Sequence, residues 1–239
     1  MTLRRQISAY GQLGPGPTSF GGPIQHGEHP SSAVVRLAAE QLGTSVSVVR
    51  LLDVFALVSA DLHEDRVLYE VGPGASRPAR RPRSANGRPV MQRFAAYGLA
   101  TDPSGRILLT RIAAGYPGAG RWHLPGGGTD AGEQPTEALL RELHEETAQR
   151  GEVTGLLGVS HRHNPRALGP EGYPIDWHTV RALYRVRVPA PTEPVVTEAA
   201  GGSTVAARWF ARAEVGALDA TEVVQWAVSQ RDEDSDSCR

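Results

Sequence analysis

The chain has 239 residues, 40% of them apolar and 21% charged, with a formal net charge of −1. That length suits one large or two small globular domains, and a charge so near zero gives no global pull toward nucleic acid or a membrane surface. The single cysteine, Cys238, excludes a disulfide framework or a thiolate metal site; no apolar run reaches membrane-helix length, and MTLRRQISAYGQLG lacks the long apolar core of a signal peptide, so a cytoplasmic protein is expected.

In chain order, the first expected strand is ISAYG at 7–11. The stretch GGPIQHGEHPSSAVVRLAAEQLGTSV comes next, then apolar strands at VVRLLDV (48–54) and VLYEV (67–71). Each has a partner further on. Gly22, Glu28, Arg36 and Glu40 lie 105 residues before Gly127, Glu133, Arg141 and Glu145. VVRLLDV matches VTGLLGV at 153–159, ISAYG resembles FAAYG at 94–98, and VLYEV resembles ALYRV at 182–186. Residues 1–71 therefore read as a degenerate, truncated copy of the later unit, a tandem repeat. Against that unit, the copy lacks about 18 residues around DPSGRILLTR and most of the region after Val188. A core that small is expected to pack on the second copy or to be partly disordered.

Residues 72–91 read as a linker, since GPGASRPARRPRSANGRP carries four prolines, five arginines and no apolar run. The alternative is an arginine patch for an anionic ligand. Residues 92–230 form the second unit, a mixed α/β domain. RFAAYGLAT is a strand, DPSG a turn with proline at its second position, and GRILLTRI the returning strand. IAAGYPGAGRWHLPGGG is a glycine-rich loop. VTGLLGVSH and WHTVRALYRVRV are further strands, joined by a polar loop, HRHNPRALGPEGYPID, long enough to suggest binding. After the loop PAPTEPVVTEAAGGST comes a short strand, VAARWF. Asp219 with Glu222 resembles a capping box ahead of a final amphipathic helix on Val223, Trp226, Ala227 and Gln230. The charged tail, 231–239, is expected to be disordered.

The chemistry concentrates in GGGTDAGEQPTEALLRELHEETAQ, from Gly126 to Gln149. A glycine turn leads into a helix that Pro135 suits in its first turn. At 100° per residue, Glu146 lies about 40° to one side of Glu142 and Glu145 about 60° to the other. Thr136, Leu140, Leu143 and Thr147 make a separate stripe for packing, with Leu139 on its edge. Three like charges on one face repel, and a cation held between them resolves the repulsion. All-oxygen ligation suits a hard ion such as Mg²⁺ or Mn²⁺. In the first copy Leu37 and Gln41 stand where Glu142 and Glu146 stand, so that copy is not expected to turn over substrate.

This stretch resembles the signature of the Nudix hydrolase family, G-x5-E-x7-R-E-U-x-E-E-x-G-U with U aliphatic, at Gly127, Glu133, Arg141, Glu142, Leu143, Glu145 and Glu146. It departs where Ala148 replaces glycine and Gln149 the aliphatic residue. With Ala148 there, the helix is expected to run further and be capped at Gly151. The resemblance implies an α/β class, a Nudix-type α/β/α sandwich with a mixed sheet, preceded here by the truncated repeat. It implies a pyrophosphohydrolase that cleaves a diphosphate bond in a nucleoside diphosphate linked to another group. Glu142, Glu145 and Glu146 would bind the ions together with the Gly126 carbonyl, and one glutamate would double as general base. Arg141 joins this catalytic set in a supporting role, an ion pair with Glu133 that fixes the helix against the glycine loop; Gly127 and Glu133 are structural.

His161, His163, Asp176 and His178 border the polar loop and are expected to contact substrate; metal ligation is the weaker reading for them. Trp122 and Trp177 suit buried packing better than base stacking. The expected partner is a small nucleotide-type molecule, with no membrane and no clear nucleic-acid partner, and a homodimer is admitted. Two other functions remain open: a non-catalytic nucleotide-metabolite sensor, and an isomerase on diphosphate substrates.

Overall fold

The computed structural model describes residues 3–14, 16, 20–74, 76, 87–169, 172–197 and 202–230. Most of the expected linker and all of the expected tail lie outside them. The chain forms two compact units, each drawn from separated segments: residues 1–96, 128–138 and 158–182 in the first, and 97–127, 139–157 and 183–239 in the second. The expected α/β class with a mixed sheet is observed, and the N-terminal region forms a further sheet of its own.

That N-terminal sheet contains β1 (Arg4–Leu13), β2 (Phe20–Pro23), β3 (Val46–Val58) and β4 (Leu62–Pro73) in the order β2-β1-β4-β3. β1 runs antiparallel to β2 and parallel to β4, and β3 pairs antiparallel with β4. Helix α1 (Pro30–Leu42) packs against these strands and buries Ala33, Val34, Leu37 and Ala38. Ile7, Ala9, Phe20, Val54, Val67, Tyr69 and Val71 are buried in the same unit. Pro30 opens the helix, where its missing N–H costs nothing, and His29 caps it through Nδ1, which accepts the Ser31 N–H at 3.1 Å.

The larger sheet has seven strands: β5 (Val90–Thr101), β6 (Ile107–Ile112), β7 (Trp122–His123), β8 (Gly126–Gly128), β9 (Glu152–Leu168), β10 (Pro174–Arg187) and β11 (Thr204–Phe210). The order is β11-β6-β5-β10-β9, with β7 on β6 and β8 on β5. The run β8, β5, β10, β9 thus repeats the order β2, β1, β4, β3. The second unit has a core of Leu99, Ile107, Leu109, Leu124, Leu183, Phe210, Val215, Val223, Val224 and Ala227. Two short helices, α3 (Arg212–Val215) and α4 (Glu222–Ser229), complete the described elements.

Helix α2 (Pro135–Thr147) has 13 residues, the length of α1, and both of its ends lie 105 positions on. The correspondence extends past the helices. Gly43 ends α1 at φ 64, and Ala148 ends α2 at φ 56. The expected run-on to Gly151 is therefore corrected: Ala148 itself takes the left-handed conformation, and its N–H bonds the His144 carbonyl at 2.8 Å. Gly151 serves another purpose. A Cβ there would lie 2.5 Å from Val186 and 2.9 Å from Leu143, so its missing side chain admits close packing.

Three further expectations are revised. The buried stripe of α2 is Ala138, Leu139, Leu143, Glu146 and Thr147, so Leu139 is central, while Leu140 and Thr136 are only half-buried. The polar loop is largely strand: β9 extends through Leu168 and β10 begins at Pro174, because alternating polar residues satisfy a two-residue pleat as readily as a loop. The capping box at Asp219 is absent. Thr221 is the N-cap of α4, Asp219 pairs with Arg121 at 3.1 Å, and Trp226 is substantially exposed.

Candidate active site

The glutamate site lies wholly within the second unit. β8 presents Gly126 and Gly127 to the face of α2 that carries the carboxylates. The Gly126 N–H donates to Glu146 Oε2 at 2.9 Å, and the Thr204 hydroxyl at the start of β11 donates to Glu146 Oε1. Glu146 is 3% exposed, so these two donors replace the water its carboxylate has lost. A Cβ on Gly127 would fall 2.4 Å from Glu142 Oε1. Only glycine admits that approach of strand and carboxylate. Arg141 Nη1 donates to Glu142 Oε1 at 3.0 Å and to Glu145 Oε2 at 3.3 Å. One guanidinium thus offsets part of the repulsion among three carboxylates.

Among the residues expected from sequence, the structure brings Gly126, Gly127, Arg141, Glu142, Glu145 and Glu146 together. Glu145 is the most exposed of the carboxylates at 44%, against 14% for Glu142. Glu133 closes the turn before α2: its Oε2 accepts the Asp130 N–H at 2.9 Å. The N-terminal region repeats this bond, where Glu28 Oε2 accepts the Gln25 N–H at 2.8 Å. There Arg36 also forms a buried pair with Glu28, with Nε and Nη2 both at 2.9 Å. Thr204 was not expected in the site. Nothing in VAARWF marks the threonine before it, since a lone hydroxyl at a strand start is ordinary.

His161, His163, Asp176 and His178 form a second constellation, wholly within the first unit. His163 and His161 stand on β9, Asp176 and His178 on β10. Asp176 is fully buried, and its Oδ1 meets His163 Nε2 at 2.7 Å and His26 Nε2 at 2.9 Å. His178 Nδ1 bonds the Gln92 amide at 2.9 Å, and its Nε2 lies 3.4 Å from His161 Nδ1. His29 stacks edge-on to His161 with ring centroids 5.0 Å apart. Burial, then the neighbouring histidines, pushes His178 down to about 3. Burial and nearby cations push His161 to about 4. Both are neutral imidazoles at neutral pH. His26 and His29 were missed from sequence because their partners lie more than 130 residues away. Trp122, half-buried, packs edge-on against Phe210, and Trp177, also half-buried, donates its indole N–H to Thr179.

The chain is similar to several known proteins. The chain is 27% identical over 119 residues to the 8-oxo-dGTP diphosphatase of Escherichia coli (strain K12), spanning 43% of this chain and 92% of that protein. It is 33% identical over 75 residues to the diphosphoinositol polyphosphate phosphohydrolase 3-alpha of Mus musculus, spanning 31% of this chain and 44% of that protein, less than half its length. Among solved structures, a MutT NUDIX hydrolase from Burkholderia pseudomallei aligns with a TM-score of 0.45 at 28% identity, covering 59% of this chain and 99% of that one. Among the described residues no helix is long and apolar enough to cross a membrane. The NUDIX domain family matches residues 91–231, well over half of the chain, and the chain belongs to that family.

Proposed function

We infer that this protein is a hydrolase of acid anhydrides that cleaves a diphosphate bond in a nucleoside diphosphate linked to another group, with Mg²⁺ or Mn²⁺ as its working cation. One observation carries the reading. Glu146 is buried and fixed by the Gly126 N–H and the Thr204 hydroxyl, on the same helix face as Glu142 and Glu145. Three carboxylates beside a glycine backbone fit a hard dication, with Glu142, Glu145, Glu146 and the Gly126 carbonyl as the groups that would hold it. When bound, such an ion neutralises phosphate charge and lowers the pKa of a coordinated water.

The side chains divide the remaining work. Glu146 is oriented by two donors. Arg141 fixes the side chains of Glu142 and Glu145 through one nitrogen, and Gly127 leaves the space Glu142 occupies. Glu133 closes the turn that delivers α2. The names of the Escherichia coli and mouse relatives, a diphosphatase and a phosphohydrolase, support the reaction class.

The N-terminal segment is best read as a degenerate copy of the same domain, giving a tandem organisation of 1–71 and 92–230 about the 72–91 linker. Equal helices at a constant offset, matching strand order and the repeated turn bond at Glu28 support this. On this reading the protein acts in the cytoplasm on a small nucleotide-type molecule. The test is a screen of nucleotides, nucleotide sugars, dinucleoside polyphosphates and ADP-ribose with Mg²⁺, reading released phosphate or nucleoside monophosphate. Release supports the hydrolase. Binding without release favours a sensor, and rearrangement without release an isomerase.

A further inference from the structure

Five of the eight histidines in the chain, His26, His29, His161, His163 and His178, form one cluster within the first unit. They come from three parts of the sequence: the turn after β2, and the strands β9 and β10. At the centre is Asp176, a fully buried carboxylate with no role in the glutamate site. One of its oxygens faces the Nε2 atoms of two different histidines, His26 at 2.9 Å and His163 at 2.7 Å. The three potential ligand atoms lie within 4.8 Å of one another. Both histidine side chains are largely enclosed, 17% and 16% exposed.

Hydrogen bonding alone leaves this cluster incompletely satisfied. If both Nε2 atoms carry protons toward Asp176, His26 Nδ1 is left as a bare lone pair. That atom is buried, with no hydrogen-bond partner among the described residues. Buried polar atoms without a partner are uncommon and expensive. If His26 instead carries its proton on Nδ1, that N–H is buried without an acceptor and the Nε2 lone pair faces a carboxylate oxygen. A dication held by the two Nε2 atoms and the carboxylate resolves the second conflict, while Nδ1 stays without a partner among the described residues in either tautomer. Zinc–nitrogen and zinc–oxygen bonds of about 2.0–2.1 Å in a tetrahedron set ligand atoms about 3.3 Å apart. Opening the present contacts by a few tenths of an ångström reaches that spacing.

We propose that His26 Nε2, His163 Nε2 and an Asp176 carboxylate oxygen form a binding site for a borderline transition-metal dication such as Zn²⁺, separate in donor chemistry from the Mg²⁺-type glutamate site. Two imidazoles and one carboxylate are the wrong donors for Mg²⁺, which prefers oxygen, and suit Zn²⁺ or Co²⁺. His178 lies outside the set: its Nδ1 is held by Gln92, and its ring stands edge-on to His26 at 5.4 Å. Its role is to wall the site. The fourth ligand position falls to water or to a bound molecule. The site's effect is a clip that ties the turn carrying His26 to the strands β9 and β10.

The experiment uses the full chain, stripped with chelator and titrated with Zn²⁺ or Co²⁺ in excess Mg²⁺. One tightly bound Co²⁺ with imidazole-type visible absorption, and a rise in Tm with one equivalent of Zn²⁺, is expected. His26→Gln and Asp176→Asn should each weaken Zn²⁺ binding at least about 10-fold, the low end even for indirect ligand support. The Glu142→Gln/Glu146→Gln double variant should keep it. Unchanged binding in both His26→Gln and Asp176→Asn, or binding lost in the glutamate double variant, overturns the proposal. Should either His26→Gln or Asp176→Asn fail to fold, imidazole ¹⁵N NMR of wild type decides. Shifts at two histidine Nε2 atoms on adding one equivalent of Zn²⁺ support the site, and their absence overturns it.

Discussion

The Gln41 carboxamide makes two hydrogen bonds with Gly21: it accepts the Gly21 N–H at 3.3 Å and donates to the Gly21 carbonyl at 2.9 Å. At the positions 105 residues on, Glu146 accepts the Gly126 N–H at 2.9 Å. The glutamine keeps the first bond and adds a second, covering with a neutral N–H the carbonyl whose counterpart, that of Gly126, is proposed as a cation ligand. Leu37, 5% exposed, fills the position of Glu142 with hydrocarbon. The N-terminal constellation thus has an amide and a methyl-bearing side chain where α2 carries carboxylates. Of its carboxylates, Glu40 is half exposed and pairs with Arg36 at 2.9 Å, while Glu28 holds Arg36 from inside. Glu40→Gln should leave turnover unchanged and alter stability by less than about 1 kcal/mol, as for exposed ion pairs. Steady-state kinetics and urea unfolding check both.

Gly127 makes a sharper prediction. Its φ lies outside the left-handed region, so alanine fits its backbone. The added methyl would nevertheless sit 2.4 Å from Glu142 Oε1 and drive that carboxylate away. The Glu142 side chain is flexible enough to yield, so Gly127→Ala should fold with near-normal Tm yet lose about 10²-fold in kcat, the scale of a misplaced catalytic group. Normal turnover in this variant would show that Glu142 does not work from its present position.

Ala148→Gly should stabilise the protein. A non-glycine residue in the left-handed region costs about 1–2 kcal/mol, and glycine returns part of that as unfolded-state entropy. A net gain of about 0.5–1 kcal/mol is expected, read as a higher urea midpoint at unchanged slope.

The helix carrying the site was legible because carboxylates, proline and apolar residues are all fixed by helical spacing. The likeness of residues 22–54 to 127–159 was legible through a constant offset of 105 residues, and α1 and α2 lie at that same offset. The end of α2 was misread because the sequence shows only that alanine dislikes φ > 0, whereas Ala148 takes that conformation and Gly151 serves close packing against Val186 and Leu143. The extension of β9 through Leu168 was misread as loop because its polar residues hide a pleat whose faces are both half-buried. His26 meeting Asp176 was invisible, because no local pattern encodes a contact 150 residues long.

The buried imidazoles predict an acid-sensitive fold. His161 faces His29, His163 and Arg181, and His178 faces His161, His26, His163 and Asp176. Their folded values, about 4 and about 3, lie below the ordinary 6.5, so the unfolded chain takes up protons first as pH falls. Their stabilisation is complete above pH 6.5 and is lost as pH falls toward 4 and below. Unfolding free energy of chelator-treated protein should therefore decrease between pH 7 and 5. The decrease should be shallower in a His161→Gln/His178→Gln variant.

The central claim is that the carboxylate face of α2 performs the hydrolysis with a hard dication. The most direct measurement is kcat of Glu142→Gln and Glu146→Gln in Mg²⁺, beside wild type with and without chelator, each variant verified as folded. The account predicts a loss of at least about 10²-fold in both variants, and a wild-type activity abolished by chelator and restored by Mg²⁺ or Mn²⁺. Near-wild-type turnover in both folded variants, or full activity in excess chelator, would contradict it.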